Sequence, residues 1–452
     1  MTENAEELPL GWTRRRVGDV LKLQNGYAFK ASEWSQSGIP IIRIQNLKSG
    51  SARHNYYEGS LPDRFRAEPG DLLFAWSGTP GTSFGAHVWN GPEAWINQHI
   101  FRVDFSSEDF DRDFLKLALD FNLNEYISGA QGGVGLAHIT KGKLNESHLI
   151  TPPLAVQHQL AVRVAKIAEG RASALKHLAQ AQRAIERFRR SVLAAASLGR
   201  LTADWREEHK GGVDELVKSL RKTGRRRPPT EPQADLIDEL QADWEIVTLD
   251  LLIDHIEAGK SFSALGRPAD PDEWGVIKVS AMSWGSFLED ENKAVPDGRH
   301  INPDFEVRSG DLLLSRANTA DLVGATVLVG EIRPRLLLSD KSLRLVPRAG
   351  IEAPWLNYVL SSPLVRGQFS ERATGTSDSM RNLSQAKILS TTLALPPTEE
   401  QKEIWRRVDE LFKAANILER RIAAAVLRVE RSPQAVLAKA FRGDLTQVGH
   451  EL

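Results

Sequence analysis

Residues 192–202 read VLAAASLGRLT, and residues 436–446 read VLAKAFRGDLT. The second segment repeats the first at an interval of 244 residues, and the same interval separates other matched positions: Ile139 and Leu383, Lys143 and Lys387, Pro152–Pro153 and Pro396–Pro397, Gln157 and Gln401. A constant interval over so long a stretch is typical of an internal repeat. The sequence therefore predicts two similar halves.

Matches upstream of these segments continue with small changes of interval, as expected if loops of the two halves differ in length. They pair Gly11-Trp12 with Asp243-Trp244, Gly70–Leu73 with Gly310–Leu313, Trp76–Gly78 with Ser315–Ala317, and Thr79 with Thr319. Each half should then form a globular domain followed by a long helix. The expected order is a first globular domain over 1–152, a long helix over 153–200, a polar linker with a short helix over 201–243, a second globular domain over 244–397, and a second long helix with a C-terminal tail over 398–452.

The two globular segments mix short strand-like runs with helical patterns. The first has runs at Ile41–Ile44, Asp71–Trp76 and His99–Val103, and a helical pattern near Phe110–Phe121. The second has the same order at Val276–Val279, Leu312–Leu314, Leu343–Val346 and Trp355–Leu360. The predicted fold class is α/β (α+β), with two similar mixed domains related by a pseudo-twofold internal repeat.

Apolar residues recur in both helical segments at alternating spacings of four and three, as in the seam of a coiled coil. The seam comprises Leu160, Val164, Ile167, Leu178, Ile185, Phe188, Ile404, Val408, Leu411, Leu418, Ile422 and Val429. One charged residue, Arg171, interrupts it. We predict that the two helices, each about 40 residues or roughly 60 Å long, pack on each other. A stalk that joins two copies of the chain is the alternative, because the seam does not identify its partner.

The ends of the long helices carry recognisable signals. Thr398 and Gln401 have the spacing of a capping box, whereas Leu154 stands at the matching position of the first helix. Gly199 and Gly443 are expected to terminate the helices, because glycine readily adopts the left-handed conformation of a C-terminal cap.

Composition limits the classes of protein to which the chain can belong. It has no cysteine, which excludes disulfides, cysteine-ligated zinc and thiol nucleophiles, and it carries a formal net charge of -1. A near-neutral chain is not expected to hold DNA by its overall field, so any DNA contact should be local or shared with a partner. The N-terminal residues show no signal peptide or membrane span, and a cytoplasmic location is expected.

Two motifs resemble catalytic sites but lack required residues or context. Gly259–Ser261 ends like a phosphate-binding P-loop, but the first glycine that this motif needs is replaced by Asp254. Pro271-Asp272 and Glu291–Lys293 follow the order of a magnesium-dependent nuclease, yet the second group is interpreted as a loop and has no counterpart in the first half. Histidines show no metal-ligand spacing. We expect no catalytic, cofactor-binding or metal site in this chain.

Taken in order, these features resemble the specificity subunits of type I restriction-modification systems over essentially the whole chain. The resemblance rests on Leu8–Trp12, the two Gly-Asp-Leu-Leu strands, Thr374–Thr376 before Leu383-Ser384, the Pro-Pro-x-x-x-Gln helix starts at 152 and 396, and the helix ends that run into Gly-x-Leu-Thr. It implies two target-recognition domains, each reading one half of a split sequence in double-stranded DNA, and an antiparallel coiled coil of two long helices that sets the unread spacer.

The resemblance also implies partners that supply the chemistry. Two modification subunits would methylate adenine with S-adenosylmethionine, and restriction subunits would use ATP and Mg to translocate and cleave DNA. The chain itself would be non-catalytic. Two alternatives stay open, namely the specificity subunit of a type II-like system that cleaves beside its site, and a coiled-coil scaffold that binds proteins only.

Residues that contact DNA are expected among polar side chains at loop tips, because Arg, Asn, Gln, Ser and Thr read base edges at short range. For the first domain the candidates are Lys30, Gln45, Asn46, Ser77 and Thr79. For the second domain they are Lys278, Arg316, Asn318, Thr319, Ser377 and Arg381. The Arg225–Arg227 run of the linker is interpreted as solvated, with a phosphate contact as the alternative.

Overall fold

The computed structural model describes residues 8–48, 52–78, 82–123, 137–209, 211–223, 234–282, 285–296, 301–377 and 380–446. The chain divides into two compact units, one formed by Met1–Ala179 with Ala424–Leu452 and the other by Gln180–Ala423. Both divisions fall within the long helices, so that each unit combines a globular domain with part of each helix.

The first unit contains one antiparallel four-stranded sheet, one mixed four-stranded sheet and several short helices. In its described residues the strands are β1 (Thr13–Arg16), β2 (Leu21–Asn25), β3 (Ile39–Ile42), β4 (Asn55–Tyr57), β5 (Arg66–Ala67), β6 (Leu72–Ala75), β7 (Ser77–Gly78), β8 (Gly85–Val88), β9 (Ala94–Ile96), β10 (Ile100–Phe105), β11 (Ala137–His138) and β12 (His148–Thr151). The helices are α1 (Val17–Val20), α2 (Ile44–Lys48), α3 (Arg112–Phe121), α4 (Lys141–Glu146) and the long α5 (Leu154–Ser197). The sheets have the orders β2-β10-β6-β8 and β4-β3-β9-β5, with the pairs β1-β12 and β7-β11 beside them.

The second unit repeats this arrangement. Its strands, where described, are β13 (Glu245–Thr248), β14 (Ile253–Ala258), β15 (Gly275–Ile277), β16 (Asn292–Ala294), β17 (Leu312–Ser315), β18 (Ala317–Asn318), β19 (Thr326–Leu328), β20 (Leu336–Leu337), β21 (Ser342–Pro347), β22 (Thr374–Ser377), β23 (Met380–Asn382) and β24 (Thr392–Leu395). The helices are α6 (Ala203–Glu208), α7 (Asp214–Thr223), α8 (Ala234–Asp238), α9 (Leu249–Leu252), α10 (Ala353–Leu360), α11 (Pro363–Arg372), α12 (Gln385–Leu389) and the long α13 (Thr398–Phe441). The sheets have the orders β14-β21-β17-β19, β16-β15-β20 and β18-β23-β22, and β13 pairs with β24.

The strand orders confirm the mixed α/β fold and the internal repeat. The sheet β2-β10-β6-β8 corresponds strand for strand to β14-β21-β17-β19. One detail of the alignment was wrong by a residue. The N–H of Trp76 donates to His99 O at 3.2 Å and that of Arg316 donates to Lys341 O at 3.0 Å, so Trp76 matches Arg316 rather than Ser315.

Both long helices contribute to the core of each globular domain. In the first unit, Leu160 near the start of α5 and Phe441 at the end of α13 are buried in one apolar cluster with the sheet, and Phe441 stacks on Phe121 with ring centroids 4.4 Å apart. In the second unit, Val192 near the end of α5 and Ile404 near the start of α13 share a cluster in the same way. Each unit therefore holds the start of one long helix beside the end of the other, as an antiparallel pair requires.

The predicted seam is buried only in part. Leu160, Val164, Ile185, Ile404 and Val408 are buried, and Leu178, Leu411, Ile422 and Val429 are partly buried. Three members, Ile167, Phe188 and Leu418, are 39%, 42% and 50% exposed, so the seam is not covered along its whole length. Leu160 and Val164 are buried in the apolar cluster of the first unit, and Ile404 and Val408 in that of the second, whereas Ile185 is buried outside both clusters.

The charged interruption of the seam, Arg171, has a structural partner. Pro433 lies inside α13 and has no N–H to donate to the carbonyl of Val429, four residues earlier. Arg171 Nε donates to this carbonyl at 3.1 Å, and Ser432 Oγ donates to it at 2.7 Å. The arginine therefore satisfies a backbone acceptor that the proline leaves open.

The C-terminal ends of the long helices agree with expectation, whereas the start of the second long helix does not. Gly199 and Gly443 follow the last helical residues with φ of 71° and 83°, which confirms them as the terminating glycines. The capping box at Thr398 was wrong, because the Thr398 hydroxyl donates to Gly350 O at 2.8 Å instead of capping the helix N-terminus. α5 and α13 nevertheless start at matching positions and have 44 residues each.

The glutamine of each Pro-Pro-x-x-x-Gln motif connects the long helix to its globular domain. The N–H of Asp111, the residue that caps α3, donates to Gln157 Oε1 at 3.0 Å, and Gln157 Nε2 donates to Pro152 O at 2.9 Å. In the second unit the N–H of Glu352 donates to Gln401 Oε1 at 2.9 Å, and Gln401 Nε2 donates to Pro396 O at 3.1 Å. The repeated motif therefore encodes a repeated junction.

The segment between the halves is more ordered than the polar linker expected from its composition. Its described part forms three helices, α6, α7 and α8, rather than one. Val213, Val217, Leu220 and Leu236 are buried in the apolar core of the second unit. The sequence did not predict this packing because α7 buries one apolar face and exposes a polar one, so that its overall composition is polar. Arg225–Arg227 lie outside the described residues.

Candidate nucleic-acid interface

An open cleft of about 420 Å³ lies on the second globular domain, at the ends of β14 and β15 and beside the β20–β21 connection. Its lining includes lysines from four separate segments, Lys260, Lys278, Lys293 and Lys341, together with Ser261, Ser280 and Ser339. Asp340 is the one acidic residue of the lining. A near-neutral chain thus concentrates positive charge locally at this surface, which we call the lysine cleft.

The four lysines differ in how they are held. Lys278 Nζ lies 2.9 Å from Glu291 Oε2, and a hydrogen bond from Ser280 followed by that of Lys278 lowers the pKa of Glu291. Lys260 Nζ lies 5.1 Å from the ring centroid of Phe305. Lys293 and Lys341 are exposed and form no ion pair with another described residue. Three of the four ammonium groups therefore lack a carboxylate partner within the described part of the chain.

The first domain has the same backbone at this place but different side chains. The bridges Tyr27–Asn97 and Lys260–Ser339 are equivalent, and the strand registers then match Arg43 with Lys278. By the same registers, the lysines at 260, 278, 293 and 341 correspond to Tyr27, Arg43, Asn55 and His99. Arg43 is held by Asn55 Oδ1 at 3.1 Å and by the ring of Trp34. The lysine cleft is thus a property of the second domain.

A glycine keeps the two strands close at this surface in both domains. A Cβ atom on Gly26 would lie 2.2 Å from Asn97 O, and one on Gly259 would lie 2.3 Å from Ser339 O. Backbone cannot yield as a flexible side chain would. The glycine of the Gly259–Ser261 motif is therefore required by strand packing, and Lys260 beside it faces the cleft.

Three of the predicted DNA-contact residues are not at exposed loop tips. Asn46, Ser77 and Asn318 are buried. Asn46 accepts a hydrogen bond from the N–H of Arg43 at 3.0 Å and donates to Ala52 O at 3.1 Å, so its side chain connects helix α2, in which it lies, to residues on both sides. Ser77 and Asn318 lie in the short strands β7 and β18. The loop position expected for them was wrong, because the chain continues as a paired strand after each Gly-Asp-Leu-Leu run.

The other predicted residues lie at or near the surface. Lys30, Gln45 and Thr319 are exposed, and Arg316 and Arg381 are partly buried. Thr79 and the side chain of Ser377 lie outside the described residues. Lys278 is the one predicted residue that lines the lysine cleft. A contact between any of these side chains and DNA stays a prediction.

Sequence reasoning missed Lys260, Lys293 and Lys341. Lys260 was noted only as part of a P-loop-like decoy, and Lys293 only as part of a nuclease-like decoy in a stretch interpreted as a loop. Asn292–Ala294 is in fact strand β16, with β4 as its counterpart in the first domain. A comparison of charge at the ends of matched strands could have found these lysines, once the strands had been aligned.

Within the part of the chain that the structure describes, no cluster of three or more histidine or acidic side chains is arranged to hold a metal ion. None of the helices described has the length and apolar character needed to cross a membrane.

Residues 9–176 and 358–428 match the type I restriction modification DNA specificity domain. Among curated proteins, the type I restriction enzyme EcoBI specificity subunit of Escherichia coli is 28% identical over 443 residues, which cover 96% of this chain and 86% of that protein. The MjaVIII specificity subunit of Methanocaldococcus jannaschii is 22% identical over 426 residues, 90% of this chain and 89% of that protein.

Solved structures show the same fold. The crystal structure of the HsdS subunit from Thermoanaerobacter tengcongensis matches with a TM-score of 0.57 and 20% identity, over 98% of this chain and 100% of that chain. A chain from a study of complex assembly and conformational transition of the type I R-M system matches with a TM-score of 0.63 and 19% identity, over 97% of this chain and 99% of that chain. With more than half of its length matched by the domain, this chain belongs to the family of type I restriction-modification specificity subunits.

Proposed function

We propose that this chain reads a split DNA sequence for a type I restriction-modification complex, with each globular domain contacting one of the two parts. The observation that carries this proposal is the repeat itself. The two domains share their strand order and differ in the side chains at matched surface positions, such as Tyr27 and Lys260. Two readers of different DNA segments need this combination of a common scaffold and separate linings.

The long helices are the proposed docking surface for modification subunits. Large apolar side chains are exposed on them: Val162, Ile167 and Leu427 in the first unit, and Phe188, Ile417 and Leu418 in the second. Exposed apolar residues grouped on one element favour a protein interface. A related chain was solved in a study of complex assembly of the type I R-M system, which supports this assignment.

The chain is proposed to be non-catalytic. In this division of work, the modification subunits bind S-adenosylmethionine and methylate adenine, and the restriction subunits use ATP and Mg. The role requires access to chromosomal DNA, and the cytoplasmic location expected from the sequence stays a prediction.

The first experiment is to map methylated adenines in the source cell with and without this gene. The expected result is a split motif, two short blocks separated by unread base pairs, that disappears on deletion. An unchanged pattern of methylation in a cell whose modification subunits are expressed would contradict the proposal.

A reconstituted complex distinguishes the remaining alternatives. The chain is mixed with the modification subunits and S-adenosylmethionine on a DNA library, and the modification subunits alone serve as the control. Assembly without sequence preference would favour a protein scaffold. Cleavage of DNA beside the motif by the partner would favour a type II-like system, and metal-dependent cleavage by the purified chain alone would contradict the non-catalytic assignment.

A further inference from the structure

We propose that the lysine cleft of the second domain binds backbone phosphates of the DNA that this domain contacts. The inference rests on the proposed function and assigns a binding surface that neither the sequence reasoning nor family membership identified. It names Lys260, Lys293 and Lys341 as phosphate contacts and Lys278 as the residue that supports them.

The charge of the cleft is the first argument. Its lining has four lysines against one aspartate, on a chain whose formal net charge is -1. Like charges that line one concave surface repel one another, and a cleft between low-dielectric walls focuses their field. A polyanion in the cleft removes this repulsion.

The arrangement of the lysines is the second argument. Glu291, which is not part of the lining, pairs with Lys278 and, with its lowered pKa, stays ionised, so Lys278 is the lysine of the cleft whose charge is compensated. Lys293 and Lys341 come from separate segments and extend into solvent. Long, flexible ammonium side chains with several orientations suit the oxygens of a phosphate chain, whereas base reading needs side chains held in fixed geometry.

The strand geometry beneath the cleft is the third argument. The close approach of Gly259 to Ser339 O joins the segment of Lys260 to the segment of Lys341. The backbone therefore fixes where two of the lysines leave the surface. The first domain has the same close approach at Gly26 but places Tyr27 and His99 there, so its counterpart surface does not present this charge.

The test uses the complex of the full chain with its modification subunits and a duplex that carries the mapped motif. The variant Lys293→Gln/Lys341→Gln removes two exposed charges from the cleft. The matched control, Lys218→Gln/Lys222→Gln, removes two exposed charges from α7, outside the cleft. Binding is measured over a range of salt concentrations, and circular dichroism melts verify that both variants are folded.

The expected result is a smaller salt dependence for the cleft variant alone. Each lost phosphate contact makes the negative slope of log K against log salt shallower by about 0.9, so a change of about 2 toward zero is expected, with affinity reduced on the order of tenfold at moderate salt. The preference for the motif over a mutated motif should be unchanged. An unchanged slope, or an equal change in the control, would overturn the inference.

Further outcomes separate this inference from its alternatives. If the wild-type complex shows no preference for the motif, the proposed function fails; if it prefers the motif and the cleft variant binds identically, only the inference fails. Relaxed preference at one base position would overturn the phosphate assignment in favour of base reading. Competition by inorganic phosphate beyond that of chloride at equal ionic strength would assign the cleft to a free phosphate and overturn the DNA assignment.

Discussion

The two globular domains have the same strand order, yet they present different chemistry at the same place. Where the second domain has lysines at 260, 278, 293 and 341, the first has Tyr27, Arg43, Asn55 and His99. The glycines beneath are equivalent, because Gly26 and Gly259 both lie against a backbone carbonyl. Close backbone contacts restrict the frame of the domain, whereas side chains that end in solvent are free to diverge.

The junctions between the domains and the long helices also differ. At the start of α13, the buried Glu400 accepts hydrogen bonds from Trp244 Nε1 at 2.8 Å and from Thr202 Oγ1 at 2.7 Å, and it pairs with Arg206. The first helix has Val156 at the matching position. A buried ionic group in one copy thus replaces an apolar contact in the other, although both helices start alike.

The largest expected effect is a loss of stability at the start of α13 that should exceed the loss from the matched change at the start of α5. Glu400→Ala leaves the largely buried Arg206 without its counter-charge, and it should lower the free energy of unfolding of the second unit by about 3 kcal/mol or more. Val156→Ala, the matched change, should cost about 1 kcal/mol because it removes only methyl groups. Urea denaturation with hydrogen exchange resolved by unit measures both. Equal losses would show that the ion pair contributes nothing beyond packing.

An effect of intermediate size should be the same in both copies. Gln157→Ala and Gln401→Ala each remove a buried amide that joins a helix start to the domain, and each should cost about 1–3 kcal/mol in its own unit. The same denaturation assay compares them, with the exposed Gln182→Ala as a control for the substitution itself. A loss confined to one copy would contradict the equivalence of the two glutamine contacts.

The smallest expected effect concerns pH and has opposite sign in the two units. Burial lowers the pKa of His87 and, together with His138, that of His99, whereas Asp254 and then Glu257 raise the pKa of the exposed His255. Below the ordinary value of about 6.5 the unfolded first unit binds more protons, so His87 and His99 make that unit less stable as pH falls. His255 stabilises the folded second unit below that value, and this contribution is lost as pH rises through its raised pKa.

Hydrogen exchange at about pH 7.5 and about pH 5.5 measures these changes by unit. The variant His87→Gln should reduce the acid sensitivity of the first unit, and His255→Gln should remove a small stabilisation of the second unit at the lower pH. Solvent screens His255, so its effect should be the weaker one. An acid sensitivity of the first unit that is unaffected by His87→Gln would contradict the assignment to this histidine.

Some features of the described residues were predictable from the sequence, and others were not. The repeat, the terminating glycines and the helix starts were predictable because each depends on residues that are near in sequence or repeated at a fixed interval. The exposure of Ile167, Phe188 and Leu418 was not predictable, since a spacing identifies one face of a helix but not what covers it. The position of Asn46 failed because polar composition does not reveal that it lies in helix α2 with its side chain hydrogen-bonded to Arg43 and Ala52.

The sequence by itself determined the duplication, the mixed α/β class, the long helices and the family, since these follow from periodicity, interval and motif order. Only the tertiary structure decided which side chains share a surface. Lys260, Lys278, Lys293 and Lys341 are separated by up to 81 residues and meet because strand pairing brings four segments to one edge. Arg171 and Val429 meet because an antiparallel helix pair brings distant positions together. Pairing between strands and helices is long-range, and local sequence patterns do not encode it.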